Sequence, residues 1–473
     1  MKPNTLGRPA RPVKAFRRRR QGELTGRGRS WYKRGMHSFL QAAAGFAATL
    51  STLGAFAFIL VLARLRAPLT AAIFLGAVLA GALFGLTPGP LARLFLHGAI
   101  HPDTIGLAIL TTLLLGLTAT LQATGEMEKI VGLAQAFFRR PAITMAALPA
   151  LIGLLPMPGG ALFSAPMVAS AAAAKPVQAG LLSAINYWFR HVWEHWWPLY
   201  PGVILAMSLT QATPLKWVAV MLPMGAVMIL AGLLILARVH PELRATGRKP
   251  SPGVKRQLLM AISPIWIIIL AYLLFWRLLG LLAPSFRATD VGGALAKFGP
   301  ISLGVIVSLV WTSLRTRLSR PQLRAVWTRR STYAMTLLVI SVMLFKNTLD
   351  HVEAPGRIGQ ELTAASVPMA AVVATLPFIA GMVTGLAIGF VGTAFPIILG
   401  LIPAGQSLWP YAMLGYAFGH MGQMLSPIHM CHVVSNRYFG TPFGPVYRHI
   451  LPSAALDILG AAAYFLLLKW LMN

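Results

Sequence analysis

The sequence is poor in cysteine and in charged residues, and each shortage excludes a class of protein. Cys431 is the single cysteine, so an intrachain disulfide is impossible. Charged residues make up only 11% of the 473 residues and hydrophobic residues 56%, which is more apolar material than a soluble core can absorb. The sequence also lacks an H-E-x-x-H motif, a nucleophile-elbow serine, a Walker loop and a paired-cysteine metal motif, so these enzyme signatures are excluded.

Long apolar runs separated by short polar gaps indicate membrane spans. The runs at 45–62, 67–86, 217–237 and 258–276 are close to the ~20 residues that a helix needs to cross the hydrocarbon. Backbone groups in lipid must be hydrogen-bonded within their own segment, so these runs are expected to be helices. The sequence therefore predicts an all-α polytopic membrane protein, multi-pass in the cell inner membrane, with the lipid bilayer as its surroundings.

Basic residues greatly outnumber acidic ones, 41 Lys and Arg against 11 Asp and Glu. They lie in short loops between apolar runs or in the tail, a distribution typical of cytoplasmic loops, and we expect no nucleic-acid partner. Residues 1–40 form a basic N-terminal tail. We expect translation to begin at Met36, or the tail to be a solvated extension; contact of the tail with anionic lipid or nucleic acid is the less favoured alternative.

Two stretches of the chain repeat one pattern at a spacing of 229 residues. The first copy holds Tyr187, Phe189, His191 and Pro198, and the second holds Tyr416, Phe418, His420 and Pro427. Each copy follows an apolar segment that is broken by glycine and proline, at 156–166 and at 389–396. In membrane transporters, a matching pair of interrupted segments is the best sequence indication of the binding site.

The loop charges predict how the two halves are inserted. Loops 238–256 and 315–330 each carry six basic residues and are predicted to be cytoplasmic. Counting spans from them places the start of the first span and the segment around Glu361 outside. It gives two inverted-topology repeats, each of about five transmembrane spans plus one re-entrant helical hairpin. Their predicted bounds are 41–237 for the first repeat with its hairpin at about 141–174, 238–257 for a cytoplasmic basic linker, and 258–473 for the second repeat with its hairpin at about 366–404.

The segments 156–166, 186–191 and 419–423 resemble an integral-membrane family. That family is similar to the gluconate permeases and lies near the ion transporter superfamily of citrate, dicarboxylate and arsenite carriers. The resemblance covers roughly residues 40–473. It implies inverted repeats with hairpins and broken helices, usually assembled as a homodimer that moves a transport domain against a scaffold. The Ser-Asn-Thr signature of the dicarboxylate branch is absent, so sodium is the less expected coupling ion.

These features predict a secondary active transporter of a small organic anion, a carboxylate or sugar acid, working by alternating access in an elevator-like and proton-coupled manner. Hairpin tips expose backbone N–H groups at half-helix N-termini, which attract anions. The predicted substrate-binding residues are Pro158, Gly159, Gly160, Ser164, Asn186, Gly392, Thr393 and Ser426. The alternative is that the glycines only permit tight turns. No cofactor and no metal are predicted.

Ionisable residues inside a membrane are costly and are therefore functional candidates. Arg190 and Glu194 are four residues apart and are predicted to pair on one helix face. His420 repeats His191, whereas Gln423 stands where the first half has Glu194. We predict that His191, Glu194 and His420 carry the coupling proton; the alternative is a purely structural set of buried polar residues. Three further polar residues are expected to approach the cytoplasmic surface: His429, His432 and Asp457.

Two other functions remain as alternatives. His191, Glu194 and His195 spell the H-x-x-E-H pattern of an inverted zinc peptidase, in which two imidazoles bind the metal and the glutamate is the base. The second half keeps only the first of these residues, which makes the peptidase less favoured. A passive anion channel is the other alternative, because hairpins also build selectivity filters.

Overall fold

The computed structural model describes residues 45–138, 140–154, 160–173, 176–245, 252–281, 284–402 and 405–472. Within these residues the secondary structure consists of α-helices and one short 3₁₀ turn, which confirms the predicted all-α class. The basic tail and the predicted site residues Pro158 and Gly159 lie outside the described residues.

The helices of the first half follow one another from α1 to α10. They are α1 Ala47–Arg64, α2 Leu69–Leu83, α3 Pro88–Ile100, α4 Pro102–Ala123, α5 Glu126–Phe137, α6 Pro141–Gly153, α7 Ala161–Ala172, α8 Ala179–Arg190, α9 Pro201–Leu209 and α10 Pro214–Leu236. Helices α6 and α7 lie within the range predicted for the first hairpin.

The rest of the chain runs from the linker helix α11 to α23. These helices are α11 Pro241–Ala245, α12 Val254–Ala261, α13 Ser263–Leu279, α14 Pro284–Arg287, α15 Asp290–Thr316, α16 Arg320–Trp327, α17 Arg330–His351, α18 Ala354–Ala364, α19 Met369–Thr384, α20 Ala387–Ile398, α21 Leu408–Met424, α22 Met430–Phe439 and α23 Phe443–Met472. Helices α19 and α20 lie within the range predicted for the second hairpin.

Six stretches of the described chain are helical, long and apolar enough to cross a membrane: α1, α4, α10, α15, α16 with α17, and α23. Helices α12 and α13, bent against each other by 57°, add a seventh if they are one span. Many apolar side chains on these helices face outward, as lipid-facing residues do. The protein is therefore a polytopic α-helical membrane protein.

The order of elements in the first half recurs in the second. Each half begins with two apolar helices, α1 and α2 or α13 and α15, and continues through a long helix, α4 or α17. A hairpin follows, α6 with α7 or α19 with α20, and then a span that is interrupted in its middle, α8 with α9 or α21 with α22. A long helix, α10 or α23, closes each half.

The helices form two groups. Six helices pack in one row in the order α1, α2, α17, α4, α15 and α13. When each helix is replaced by its counterpart in the other half, the same order is obtained from the opposite end of the row. In the other group each hairpin packs on the interrupted span of its own half, and α10 lies against α23. Each interrupted span also packs on the hairpin of the opposite half, through α9 with α20 and α22 with α7. Such reciprocal contacts are what an approximate twofold relation produces.

One glycine in each half brings a hairpin close to its interrupted span. A Cβ on Gly153 would overlap the carbonyl oxygen of Arg190, and a Cβ on Gly381 would overlap that of Gly419. Arg190 and Gly419 are 229 residues apart, so the same contact is made twice. Any side chain at either glycine would force the two helices apart. The close approach fixes the first helix of each hairpin against the interrupted span of its own half.

Contacts between the ends of spans are compatible with the predicted sidedness. Arg315 donates from Nη1 to the Met260 carbonyl oxygen at 2.5 Å, which joins the two ends predicted to face the cytoplasm. The Glu361 carboxylate accepts from the backbone N–H groups of Ala48 and Thr49 at 2.9 and 2.8 Å. A carboxylate stabilises the N-terminal end of a helix in this way. The Glu361 carboxylate and the N-terminal end of α1 are both on the side that is predicted to be external.

Candidate functional site

The two interrupted spans meet where each of them leaves the helical conformation. Helix α8 ends at Arg190 and α9 begins at Pro201, while α21 ends at Met424 and α22 begins at Met430. Most side chains in the two breaks are buried inside the protein. Within a membrane protein, buried backbone that is not helical is tolerated where protein or an aqueous cavity surrounds it. The breaks therefore form the candidate site.

The repeated tyrosines hold the two breaks together. The Tyr187 hydroxyl donates to the Met424 carbonyl oxygen at 2.9 Å, and the Tyr416 hydroxyl donates to the Glu194 carbonyl oxygen at 2.9 Å. Each hydroxyl thus satisfies a carbonyl group in or beside the break of the opposite half, where helical partners run out. The two halves are linked by the same kind of bond in both directions.

The Glu194 carboxylate lies at the centre of the meeting point. Its Oε1 is 3.8 Å from His191 Nε2, its Oε2 is 3.5 Å from His420 Nε2, and Oε2 accepts a hydrogen bond from Gln423 Nε2 at 2.8 Å. His191 and His420 are equivalent in the repeat, as are Glu194 and Gln423. The structure therefore brings together the three residues predicted to carry the coupling proton.

The hydrogen bonding of His191 fixes which ring nitrogen faces the glutamate. His191 Nδ1 lies 2.6 Å from the Tyr187 carbonyl oxygen. A carbonyl oxygen can only accept, so Nδ1 carries a hydrogen atom. In the neutral ring, Nε2 is then the proton acceptor, and it is this atom that faces Glu194.

The end of α8 meets the tip of the first hairpin at Arg190. Arg190 is only 3% exposed, and a Cβ on Gly160 would lie 2.7 Å from its Cζ atom. Arg190 Nε also lies 3.4 Å from Cys431 Sγ. Asn186 donates from Nδ2 to the Ala161 carbonyl oxygen at 3.1 Å, in the first turn of α7. A buried guanidinium, a hairpin tip and the start of α22 thus converge on one place.

The predicted pairing of Arg190 with Glu194 is wrong. Helix α8 ends at Arg190, so residue 194 does not lie one helical turn above it. The Glu194 carboxylate turns instead toward His191, His420 and Gln423. The arginine and the glutamate therefore belong to two adjoining parts of the site, one at the hairpin tip and one between the histidines.

The prediction that Gly392 and Thr393 form the tip of the second hairpin is also wrong. The turn lies at Gly385, whose φ of 64° is left-handed, and Gly392 and Thr393 are inside α20. A Cβ on Gly392 would overlap the side chain of Val342 on α17, and Thr393 Oγ1 donates to the Gly389 carbonyl oxygen at 2.7 Å. Gly392 therefore serves close packing between helices, and the Thr393 hydroxyl bonds within its own helix.

The two predicted serines are buried and contact backbone oxygens. Ser426 Oγ donates to the Met382 carbonyl oxygen at 2.7 Å and so ties the second break to the second hairpin. Ser164 Oγ lies 3.5 and 3.4 Å from the carbonyl oxygens of Gly160 and Ala161 in its own helix. Ser164 therefore stands one helical turn after Gly160, and its hydroxyl bonds within its own helix.

The expectation that His429, His432 and Asp457 approach the cytoplasmic surface is wrong, because all three are buried. The His432 ring stacks on Tyr187 with ring centroids 4.5 Å apart, and the His429 ring lies 4.8 Å from that of His191. Cys431, for which the sequence predicted no role, lies beside Arg190 and close to His191 and His429. The available signal was position, since His429, Cys431 and His432 follow His420 within the same interrupted span.

One group of side chains in the described part of the chain has the composition of a metal site. The ligand atoms of His191, His429 and Cys431 lie within 4.8 Å of one another. The Arg190 guanidinium, however, contacts the same sulfur atom, and a fixed positive charge at that distance opposes a metal cation. The arrangement fits an anion beside the arginine better than a metal ion.

The H-x-x-E-H pattern does not bring its two histidines to a common point. His191 faces Glu194, whereas the His195 ring packs on His420 with centroids 4.3 Å apart and has Nε2 3.7 Å from Asp457 Oδ2. The reason is again the helix break, because the two imidazoles do not share one helix face. Within the described residues, this pattern forms no zinc ligand pair.

Comparison with known proteins gives the chain a family. No curated protein matches the sequence. The solved structure of the YdaH transporter of Alcanivorax borkumensis, described as revealing an unusual topology, is similar at a TM-score of 0.48 and 15% identity, over 81% of this chain and 90% of that chain. The family described as "Protein of unknown function (DUF401)" matches residues 49–289 and 293–467, and the chain therefore belongs to this family.

Proposed function

We propose that the protein is a secondary active transporter that moves a small organic anion, a carboxylate or sugar acid, across the cell inner membrane. Transport proceeds by alternating access and is coupled to protons. The group that contains the two hairpins and the two interrupted spans moves in an elevator-like manner against the row of six helices. We further propose a homodimer and a relationship to the gluconate permeases, as the resemblance of the hairpin and broken-helix motifs implies.

The observation that carries the proposal is the position of Arg190. Its buried guanidinium lies against Gly160, which is the N-cap residue of α7. The first turn of α7 presents N–H groups without helical partners and the positive end of the helix dipole. Two positive groups in contact in a buried place favour an anion bound beside both of them. Asn186 reaches the same helix start through its bond to the Ala161 carbonyl oxygen, and Ser164 lies one turn along α7. The predicted tip residues Pro158 and Gly159 adjoin Gly160 in the sequence.

The two halves differ where the anion is proposed to bind. Gly419 is the counterpart of Arg190, and the Phe390 ring occupies the space beside it, since a Cβ on Gly419 would overlap that ring. A charged place in one half thus corresponds to an apolar one in the other. One anion site, in the first half, is therefore proposed for each chain.

Inverted topology of the halves supplies the route to alternating access. Five spans in the first half carry the chain to the opposite side of the membrane, so the second half begins where the first did not. Equivalent elements then face opposite compartments. Helix α20 of the second hairpin packs on α17 in the row, whereas α4, the counterpart of α17, packs on α9. In the proposed movement between two states, each half takes up the contacts that the other half had before.

The cluster around Glu194 supports coupling to protons. A carboxylate that lies between two imidazoles can hold a proton in more than one place at neutral pH. This cluster adjoins the Arg190 site through His191, which follows Arg190 in the chain. Binding of an anion beside Arg190 therefore changes the field at the proton site and favours binding of a proton there.

The experiment is a thermal-stability screen of the purified protein with organic acids, followed by uptake into liposomes. Gluconate or citrate should raise the melting temperature of the wild type and of Arg437→Gln, which alters an exposed arginine on α22. Arg190→Gln should abolish the shift, and Arg190→Lys should weaken it, because lysine lacks the planar fork. An anion response that survives in Arg190→Gln would remove the arginine from the site. Uptake that neither saturates nor responds to a proton gradient would indicate the channel.

A further inference from the structure

A second buried carboxyl group lies beyond the cluster around Glu194. Asp457, on α23, is fully buried, and its Oδ2 lies 3.7 Å from His195 Nε2. In the described part of the chain, neither oxygen of Asp457 and neither ring nitrogen of His195 makes a hydrogen bond. A buried carboxylate without a donor is strongly unfavourable, so the proton is kept on the carboxyl or shared with the imidazole.

The pair connects with the cluster around Glu194 through His420. The rings of His195 and His420 lie with their centroids 4.3 Å apart, and His420 Nε2 is 3.5 Å from Glu194 Oε2. Both ring nitrogens of His420 also lack a hydrogen bond in the described part of the chain. The result is an unbroken row of buried ionisable side chains: Asp457, His195, His420, Glu194 and His191.

We propose that Asp457 and His195 are proton-carrying residues, which extend the coupling site from Glu194 to α23. The Asp457 carboxyl gives its proton to His195 Nε2, and His195 releases the proton of its other ring nitrogen to His420. His420 passes a proton from Nε2 to Glu194. Each imidazole gains one proton and loses one, so only the place of the proton changes. This inference rests on the proposed proton-coupled transport.

The distances in the row suit a gated transfer. The N···O separations of 3.5 and 3.7 Å exceed the ~2.6–3.2 Å at which a proton is transferred. A small rotation of His195 or His420 closes each gap, and no hydrogen bond within the described chain holds either ring. The path is therefore open or closed according to ring position, which is what coupling to a conformational change requires.

Other ionisable groups around Asp457 are directed elsewhere. Helices α8, α10 and α21 pack against α23. On α8, Arg190 is turned to Gly160 and Cys431; on α10, Lys216 has its Nζ 4.4 Å from the Trp409 ring centroid. On α21, His420 faces Glu194 and the Tyr416 hydroxyl donates to the Glu194 carbonyl oxygen. His195 is thus the ionisable partner that Asp457 meets in the described chain.

Infrared difference spectra of the protein in liposomes test the path without any substrate. Between roughly pH 5 and pH 8, where imidazole titrates, the wild type should show carboxyl bands from both Glu194 and Asp457. Asp457→Asn should remove one band and Glu194→Gln the other. His195→Gln should shift the Asp457 band. This variant tests the coupling of Asp457 to His195 even if Asp457→Asn folds poorly. Asp350→Asn, at an exposed position on α17, supplies a control, because it should leave both bands unchanged. An Asp457→Asn spectrum identical to the wild type, or an Asp457 band indifferent to His195→Gln, would overturn the proposal.

Acid-driven uptake of radiolabelled gluconate and citrate in the same liposomes separates this inference from the proposed function. If the wild type takes up neither anion, the transport proposal fails for these acids, while the spectra still decide whether Asp457 and His195 exchange protons. If the wild type accumulates one of them, Asp457→Asn should lose the accumulation driven by the pH gradient. Unchanged accumulation in Asp457→Asn would refute the path and leave the transporter standing.

Discussion

Gln423 donates a hydrogen bond to the Glu194 carboxylate at 2.8 Å across 229 residues of sequence, the same spacing at which Tyr187 and His191 recur as Tyr416 and His420. Residues that correspond in a repeat meet each other only near the axis that relates the two halves. In the proposed inverted repeat, this contact therefore lies near the axis, between the two helix breaks. The first half supplies a carboxylate at this place and the second half an amide, so the two halves differ chemically at the centre of the protein.

Replacing Gln423 by methionine should destabilise the protein and leave its helices intact. The substitution removes a donor to a buried carboxylate, and losing such a bond costs about 1–3 kcal/mol. The melting temperature in detergent should fall. Gln257→Met, at an exposed position on α12, is the matched control and should leave the melting temperature almost unchanged. Equal melting temperatures for Gln423→Met and the wild type would show that the contact is not formed.

Substituting alanine for Gly153 or Gly381 should be costly in both halves alike. The added methyl group would overlap a carbonyl oxygen of the interrupted span, and overpacking of this kind costs about 1–3 kcal/mol. Gly132→Ala is the matched control, because Gly132 lies in α5 with open space around it. There alanine should add about 0.5–1 kcal/mol to helix stability. Thermal unfolding of the three variants checks the prediction, and two stable variants at Gly153 and Gly381 would contradict the repeated contact.

Alanine at Gly160 should weaken the anion response, whereas alanine at Gly392 should destabilise the fold. At Gly160 the methyl group meets the end of the Arg190 side chain, which can shift, so the fold should survive and the anion response should weaken. At Gly392 it meets Val342 in a packed interface, so the melting temperature should drop by several degrees. Thermal unfolding with and without gluconate or citrate separates the two. A Gly160→Ala protein with an undiminished anion response would argue against the hairpin tip as a binding place.

Glu194→Gln should separate exchange from net transport. The variant places two amides at the centre, equal in both halves, and removes the carboxylate that faces His191 and His420. Uptake driven by a pH gradient should be lost, while exchange of labelled anion for unlabelled anion across the membrane should persist. Glu353→Gln, at an exposed position, is the control. An unaltered pH dependence in Glu194→Gln would exclude this residue from coupling.

The sequence predicted those parts of the fold that depend on hydrophobic runs and on repetition. The helical membrane class follows from the apolar runs, and the repeated Tyr187 and Tyr416 pointed to the two breaks that meet in the structure. Glycine was harder to interpret. Gly385 forms a turn with positive φ and Gly392 allows close packing, and the same residue type serves both purposes.

The pairing of charged residues could not be predicted, because it depends on where a helix ends. A continuous helix would have placed Glu194 over Arg190, but α8 stops at Arg190. Asp457 is 262 residues from His195 in sequence, and no local pattern connects them. Contacts of such range are set by the packing of α23 against the breaks, which only the tertiary structure supplies.

Labelling of single cysteines in intact cells is the most direct test of the inverted arrangement, because alternating access requires the two hairpins to open to opposite sides of the membrane. In a Cys431→Ser background, cysteines would replace Gln178 and Ala365, exposed residues beside the bases of the first and second hairpins. A membrane-impermeant maleimide should label Ala365→Cys from outside and reach Gln178→Cys only after the membrane is permeabilised. Labelling of both from the same side would contradict the inverted arrangement and the alternating access that depends on it.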